Sequence, residues 1–207
     1  NEMSLSLLRI GEIYSLLNQA RLAHTYYQDA FDSIESTGTP KLLGSIKIRI
    51  GELSLKSGAI EQAIKTINEG LTLLLSTNDV GAIAQAKMLM GKAFVESGEI
   101  ARGRALLQEA MQFASSSRQT KLMKEGRLAL AQAYMKEQDF ELALAEARTG
   151  TINARKNRDI RGQLSFLSLQ LSAFVSLGEF KKALDVQSVI QQLREVLLNS
   201  ENKTAIE

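Results

Sequence analysis

The side chains able to do chemistry are few, and their spacing works against most reactions. His24 is the single histidine. As a general base it would need a nucleophile or an orienting carboxylate within reach. Its neighbours are Thr25, Tyr26 and Asp29, which form no such set, so an exposed or half-packed histidine is the expectation. One histidine and no cysteine also exclude the usual zinc ligand sets, disulfides and thiol nucleophiles. Glu141 and Glu146 are a carboxylate pair, but helical spacing turns such pairs to solvent. The segment GEIARGRA, 98–105, offers glycines without the order of a phosphate-binding loop. Gly98 reads there as a helix terminator and Gly103 as a packing residue. Arg148, Arg155, Lys156, Arg158 and Arg161 form a basic run. Glu141, Glu146 and Asp159 dilute it, and no aromatic residues alternate with it for base stacking. A solvated helix end is the expectation, not a nucleic-acid site. The methionines at 88, 90, 111, 123 and 135 read as core or groove fillers; Met88 and Met135 could also make an adaptable binding lining. No catalytic residue, metal site or cofactor is expected.

The totals are ordinary for a soluble folded protein. The chain has 207 residues, 44% hydrophobic and 23% charged, with one proline and a net charge of +2. That charge is too small to imply nucleic acid, and no apolar run is long enough to span a membrane.

What must position these residues is a repeat. Shifted by forty residues, the chain matches itself. Gly11, Gly51, Gly91 and Ala131 align, with Leu171 departing. Aromatic or small residues follow at Tyr14, Ser54, Phe94, Tyr134 and Phe174. Turn residues come next at Asn18, Gly58, Gly98, Gln138 and Gly178. Ala23, Ala63, Gly103, Ala143 and Ala183 are all small. Ala30, Gly70, Ala110 and Gly150 recur likewise, with Ile190 departing. Within each unit, Ile10, Gly11, Tyr14 and Leu17 keep helical spacing, as do Leu22, Ala23, Tyr27 and Ala30. Each unit is therefore a helical hairpin, its small residues letting bulky ones approach. First helices are predicted near 3–17, 40–57, 79–97, 118–137 and 159–177. Second helices are predicted near 19–35, 59–76, 99–115, 139–156 and 179–199. Start signals stand at Thr39-Pro40, Asn78-Asp79, Ser117, and Asn157 or Asp159. The expected repeats are 3–38, 39–77, 78–117, 118–157 and 158–199, one solenoid over 1–199, followed by a tail, 200–207, leading to a further segment. End faces left apolar by an open array predict a homodimer.

The segments LMGKAFVESGEIARGRALLQEA, 89–110, and LALAQAYMKEQDFELALAEA, 128–147, resemble the tetratricopeptide repeat (TPR). The resemblance covers nearly the whole chain. The period of forty, the missing early tryptophan and the absence of a closing proline depart from the family pattern. It implies an all-α, right-handed superhelical solenoid of five antiparallel helix pairs. It also implies a concave groove, lined by the first helices, that binds a protein or peptide. Aligned on it, the groove candidates are Leu8, Arg9 and Glu12; Ile48, Arg49 and Glu52; Met88, Leu89 and Lys92; and Leu128, Gln132 and Met135. Arg9 and Glu12 recur as Arg49 and Glu52, either as plain intrahelical pairs or as partners for a ligand carboxylate. Family members that clamp a terminal carboxylate use asparagine and lysine; Glu12, Glu52, Lys92 and Gln132 hold those places here, so that role is not expected. The tail LREVLLNSENKTAIE, 193–207, resembles the exit segment of TPR sensor regions in bacterial histidine kinases and GGDEF diguanylate cyclases. That implies the recognition region of a larger bacterial signalling protein, periplasmic if the parent crosses the membrane. The alternative is a cytoplasmic TPR adaptor or scaffold. Neither reading invokes nucleic acid, nor a membrane segment within this stretch.

Overall fold

The computed structural model describes residues 2–204. Among them every regular element is an α-helix, and there are ten: α1 (Glu2–Leu16), α2 (Ala20–Asp32), α3 (Pro40–Lys56), α4 (Ile60–Leu75), α5 (Val80–Ser97), α6 (Ile100–Ser116), α7 (Thr120–Lys136), α8 (Phe140–Lys156), α9 (Ile160–Ser176) and α10 (Phe180–Thr204). The chain divides into two compact units, residues 1–116 with α1 to α6 and residues 117–207 with α7 to α10.

Helix starts follow local chemistry. Thr39 precedes Pro40 and its Oγ1 accepts from the Leu42 N–H, with proline in the first turn, where its missing donor costs nothing. Asp79 accepts from Ala82 N–H at 2.9 Å, and Asp159 from Gly162 N–H at 2.8 Å. The expected start at Ser117 is displaced: α7 begins at Thr120, and its N-cap Gln119 makes no side-chain cap bond. Arg118 takes a left-handed backbone (φ 55°), which ends the preceding helix and pushes the next start downstream. Asn157 is the C-cap of α8, so Asp159 alone starts α9.

Hairpin turns are left-handed at all five predicted residues. Gly98 has φ 94°, a conformation glycine adopts without steric cost. Asn18 and Gln138 hold the same place at φ 56° and 62°, and Arg118 and Arg158 add two more left-handed turns. A side chain in that region costs roughly 1–2 kcal/mol. Gln138→Gly is therefore expected to raise stability by about 0.5–1 kcal/mol, read as a higher midpoint in urea.

In unit 1 the hairpins bury against their neighbours in chain order. Ala23, Tyr27, Ala30 and Ile34 of repeat 1 form one cluster with Ile46, Ile50 and Leu53 of α3. Ile48, Ala63, Ile67 and Leu74 of repeat 2 form the next with Ala86, Leu89, Met90, Ala93 and Phe94 of α5. In unit 2, Ala147 and Ala154 of α8 pack with Phe166 of α9, and Leu144 packs with Ala173, Phe174 and Ala183. Each cluster joins a second helix to the first helix that follows it, which is the rule of a stacked repeat. Unit 2 also carries a polar insertion: Gln170 stands where α3 has Ile50, and its amide donates to Thr151 Oγ1 at 2.7 Å. The hydroxyl of Thr151 in turn donates to Ala147 O, so the buried polar groups are paired. α10 is longer than the other second helices, 25 residues against 17 for α8. It takes in residues 200–204 of the expected tail; residues 205–207 lie outside the described residues.

Candidate functional site

Two side-chain systems repeat with the hairpins. The first ties the two helices of one hairpin together. Lys47 donates to Glu69 at 3.0 Å, Lys87 to Glu109 at 2.6 Å and Arg127 to Glu146 at 2.6 Å. The three cations are forty residues apart. The second ties successive first helices. Lys41 donates to Asp79 at 2.7 Å in unit 1, and Lys124 to Asp159 at 2.8 Å in unit 2.

These two aspartates cap helices and meet a lysine at once. The lysine hydrogen bond, then the cap N–H, holds each carboxyl below the ordinary carboxylate range. A depressed folded-state pKa contributes stability that is complete above the unfolded value, near 3.9, and is lost as pH falls through the folded value. Asp159→Asn keeps a capping side chain but loses the charge. The variant's stability is expected to fall less steeply than the parent's below about pH 4, measured by urea denaturation across pH 2–6.

On the first-helix face of unit 1, one row of charge runs from α1 to α3. The guanidinium of Arg49 donates from Nη2 to Glu12 Oε1 at 3.1 Å and lies 3.6 Å from Glu52 Oε2 through Nη1. Lys56 holds the other oxygen of Glu52 at 3.0 Å. Arg49 thus bridges two repeats as well as one helix. Beneath it sits the buried Tyr27. Burial raises the pKa of its phenol, Arg49 opposes this, and Glu12 and Glu52 add to it, so the ring is a neutral floor at physiological pH. Tyr14 and Tyr26 stack at 5.3 Å and 6° at the same hairpin.

The structure therefore brings together Glu12, Arg49 and Glu52, leaves Arg9 exposed beside them, and keeps Lys92 half-buried on α5. It places Ile48, Met88 and Leu89 in the core, not on an accessible surface. Ile48 and Leu89 belong to the cluster between repeats 2 and 3, where α4 covers that side of both α3 and α5, so the open face is narrower than the spacing implied. Leu8 is likewise half-buried against the repeat 1 cluster. In unit 2, Leu128 packs on Ala147 and Phe166 and Met135 on Phe174 and Leu144, while Gln132 is exposed. Met88 and Met135 are packing residues. His24 and Asp29 are exposed on α2. Of the basic run, Arg148 lies 5.7 Å from the ring centre of Phe174.

The bridge from Arg49 to Glu12 is invisible to a search for helical pairs, since the residues stand 37 apart, one repeat less a turn. The recurrence of Lys47 as Lys87 and Arg127 was available in the sequence. No helix among the described residues is long and apolar enough to cross a membrane.

No protein-family model matches the chain, and no curated protein matches it in sequence. Solved structures do. A Podosopora anserina putative kinesin light chain with nearly identical TPR-like repeats aligns with TM-score 0.76 and 12% identity, over 96% of this chain and 99% of that one. PlcR of Bacillus thuringiensis, solved in complex with the peptide PapR7 and DNA, aligns with TM-score 0.76 and 12% identity, over 99% and 74%. A Rap protein complexed with Competence and Sporulation Factor aligns with TM-score 0.81 and 10% identity, over 90% of this chain and 52% of that one. With its all-helical hairpins in a forty-residue register, the chain has the fold of the TPR-like repeat proteins.

Proposed function

We propose that this chain is a non-catalytic recognition domain whose first-helix face binds a peptide or a segment of another protein. The observation that carries this is the Glu12–Arg49–Glu52 row. Its members are a quarter to two-fifths exposed, so a ligand's carboxylate or ammonium can replace one partner without opening the core. Exposed pairs of this kind contribute only about 0.2–1 kcal/mol to folding, which leaves their hydrogen bonds open to exchange. The complexes of two structural neighbours, PlcR with the peptide PapR7 and a Rap protein with Competence and Sporulation Factor, support the same reading.

The wider setting is the sensor region of a bacterial signalling protein. The apolar seam Val186, Ile190, Leu193 and Leu197 runs along α10, the one helix that outlasts its repeat. In this account ligand contact shifts the repeats and α10 carries the shift onward.

A random peptide array tests the binding role. Peptides rich in acidic residues are expected to bind the chain, and Arg49→Ala to weaken the best of them by about tenfold, the worth of one charge-assisted hydrogen bond. Binding that is unchanged in Arg49→Ala, or no binding at all, removes the proposal.

A further inference from the structure

The exposed side of α1 carries Met3, Ile10 and Ile13 on one stripe, separated by helical multiples. The repeat register says what such a stripe is for. Ile10 and Ile13 stand forty residues before Ile50 and Leu53. Ile50 and Leu53 are 5% and 6% exposed, buried under the second helix of repeat 1; Ile10 and Ile13 are 36% and 56% exposed. In α5 the equivalents are Met90 and Ala93, buried under repeat 2. In α9, Ala173 is buried with Leu144 of α8. The same register positions that receive a hairpin on α3, α5 and α9 are open on α1.

Charge points the same way. Arg49 takes Glu12 from the preceding hairpin at 3.1 Å. Arg9 occupies the place of Arg49, is exposed, and pairs with no described residue. The last hairpin, α9–α10, is finished differently. Where repeat 1 turns Tyr27, Phe31 and Ile34 toward its successor, α10 has Gln187, Gln191 and Arg194, and Ser172 stands in the place of Glu12. Polar substitution of that kind caps a terminal repeat. A second copy stacking its α9–α10 end on α1 would bring neither the apolar side chains nor the carboxylate.

We infer that the outer face of α1 is a stacking surface for a further helical hairpin. Its occupant presents a bulky–small–bulky row like Tyr27, Ala30 and Ile34, and a first-helix carboxylate for Arg9.

The test extends the chain in register by joining a second copy of residues 1–40 directly before Asn1. Amide exchange in the original residues 6–17 is expected to slow at least tenfold. Arg9→Ala in the host should reduce that gain, and Ile10→Glu with Ile13→Glu should abolish it. Unchanged exchange in the folded extended chain overturns the inference. The unextended chain gives a second reading. There Ile10→Glu should leave the melting midpoint in place, whereas Ile50→Glu should collapse it. Equal damage from both would mean that α1 is already covered. Dimerisation of the unextended chain with rising concentration, removed by Ile10→Glu, would assign the face to a second copy and overturn the choice of occupant.

Discussion

Ala63→Arg is expected to unfold most of what holds repeat 2 to repeat 3. Ala63 is fully buried among Ile48, Ile67, Ala86 and Phe94. The arginine would bring roughly 1–3 kcal/mol of overpacking and a charge without a buried partner, for a total on the order of 3–5 kcal/mol. Domains of this size are stable by only about 5–15 kcal/mol, so the melting midpoint of unit 1 should fall by about 10 °C or more. Ala101→Arg, on the exposed side of α6, is the control and should change stability by less than about 0.5 kcal/mol. Parallel circular-dichroism melts would show the contrast; equal effects from both would remove the packing role given to the small residues.

The second large effect is expected from Gly103→Ala. A Cβ there would stand 2.7 Å from Gly91 O and 2.9 Å from Val95 N. Both are backbone atoms, so no rotamer change relieves the clash and α5 must move away from α6. Alanine gains about 1 kcal/mol in a helix interior, but the overpacking, roughly 1–3 kcal/mol, outweighs it. Chemical denaturation should show a net loss. A net gain would mean that the two helices are not held at this distance.

Most of the fold was legible because one forty-residue register governs it. Small residues at 63, 103 and 143 and left-handed turns at 58, 98 and 178 recur at fixed offsets, and the helices fall within a few residues of the places that spacing predicts. Two turns were not legible. Arg118 and Arg158 are exposed and adopt a left-handed backbone, and neither is the glycine or asparagine that marks such turns. The candidate binding face was half legible. Arg49, Glu12 and Glu52 do share a surface, but Ile48 and Leu89 are buried where repeats 2 and 3 pack together. Periodicity tells which way a side chain points, not how much of that direction a neighbouring helix occupies. The partner of Arg49 on α1 depends on the offset between stacked hairpins, which only three-dimensional stacking sets.

The functional account is tested most directly by mapping a bound peptide onto backbone amide resonances. With a peptide selected from the random array, shift changes should centre on the first helices of unit 1, around Arg9, Glu12, Arg49 and Glu52, and should shrink in Arg49→Ala. Changes confined to the second helices α2, α4 and α6 would contradict it.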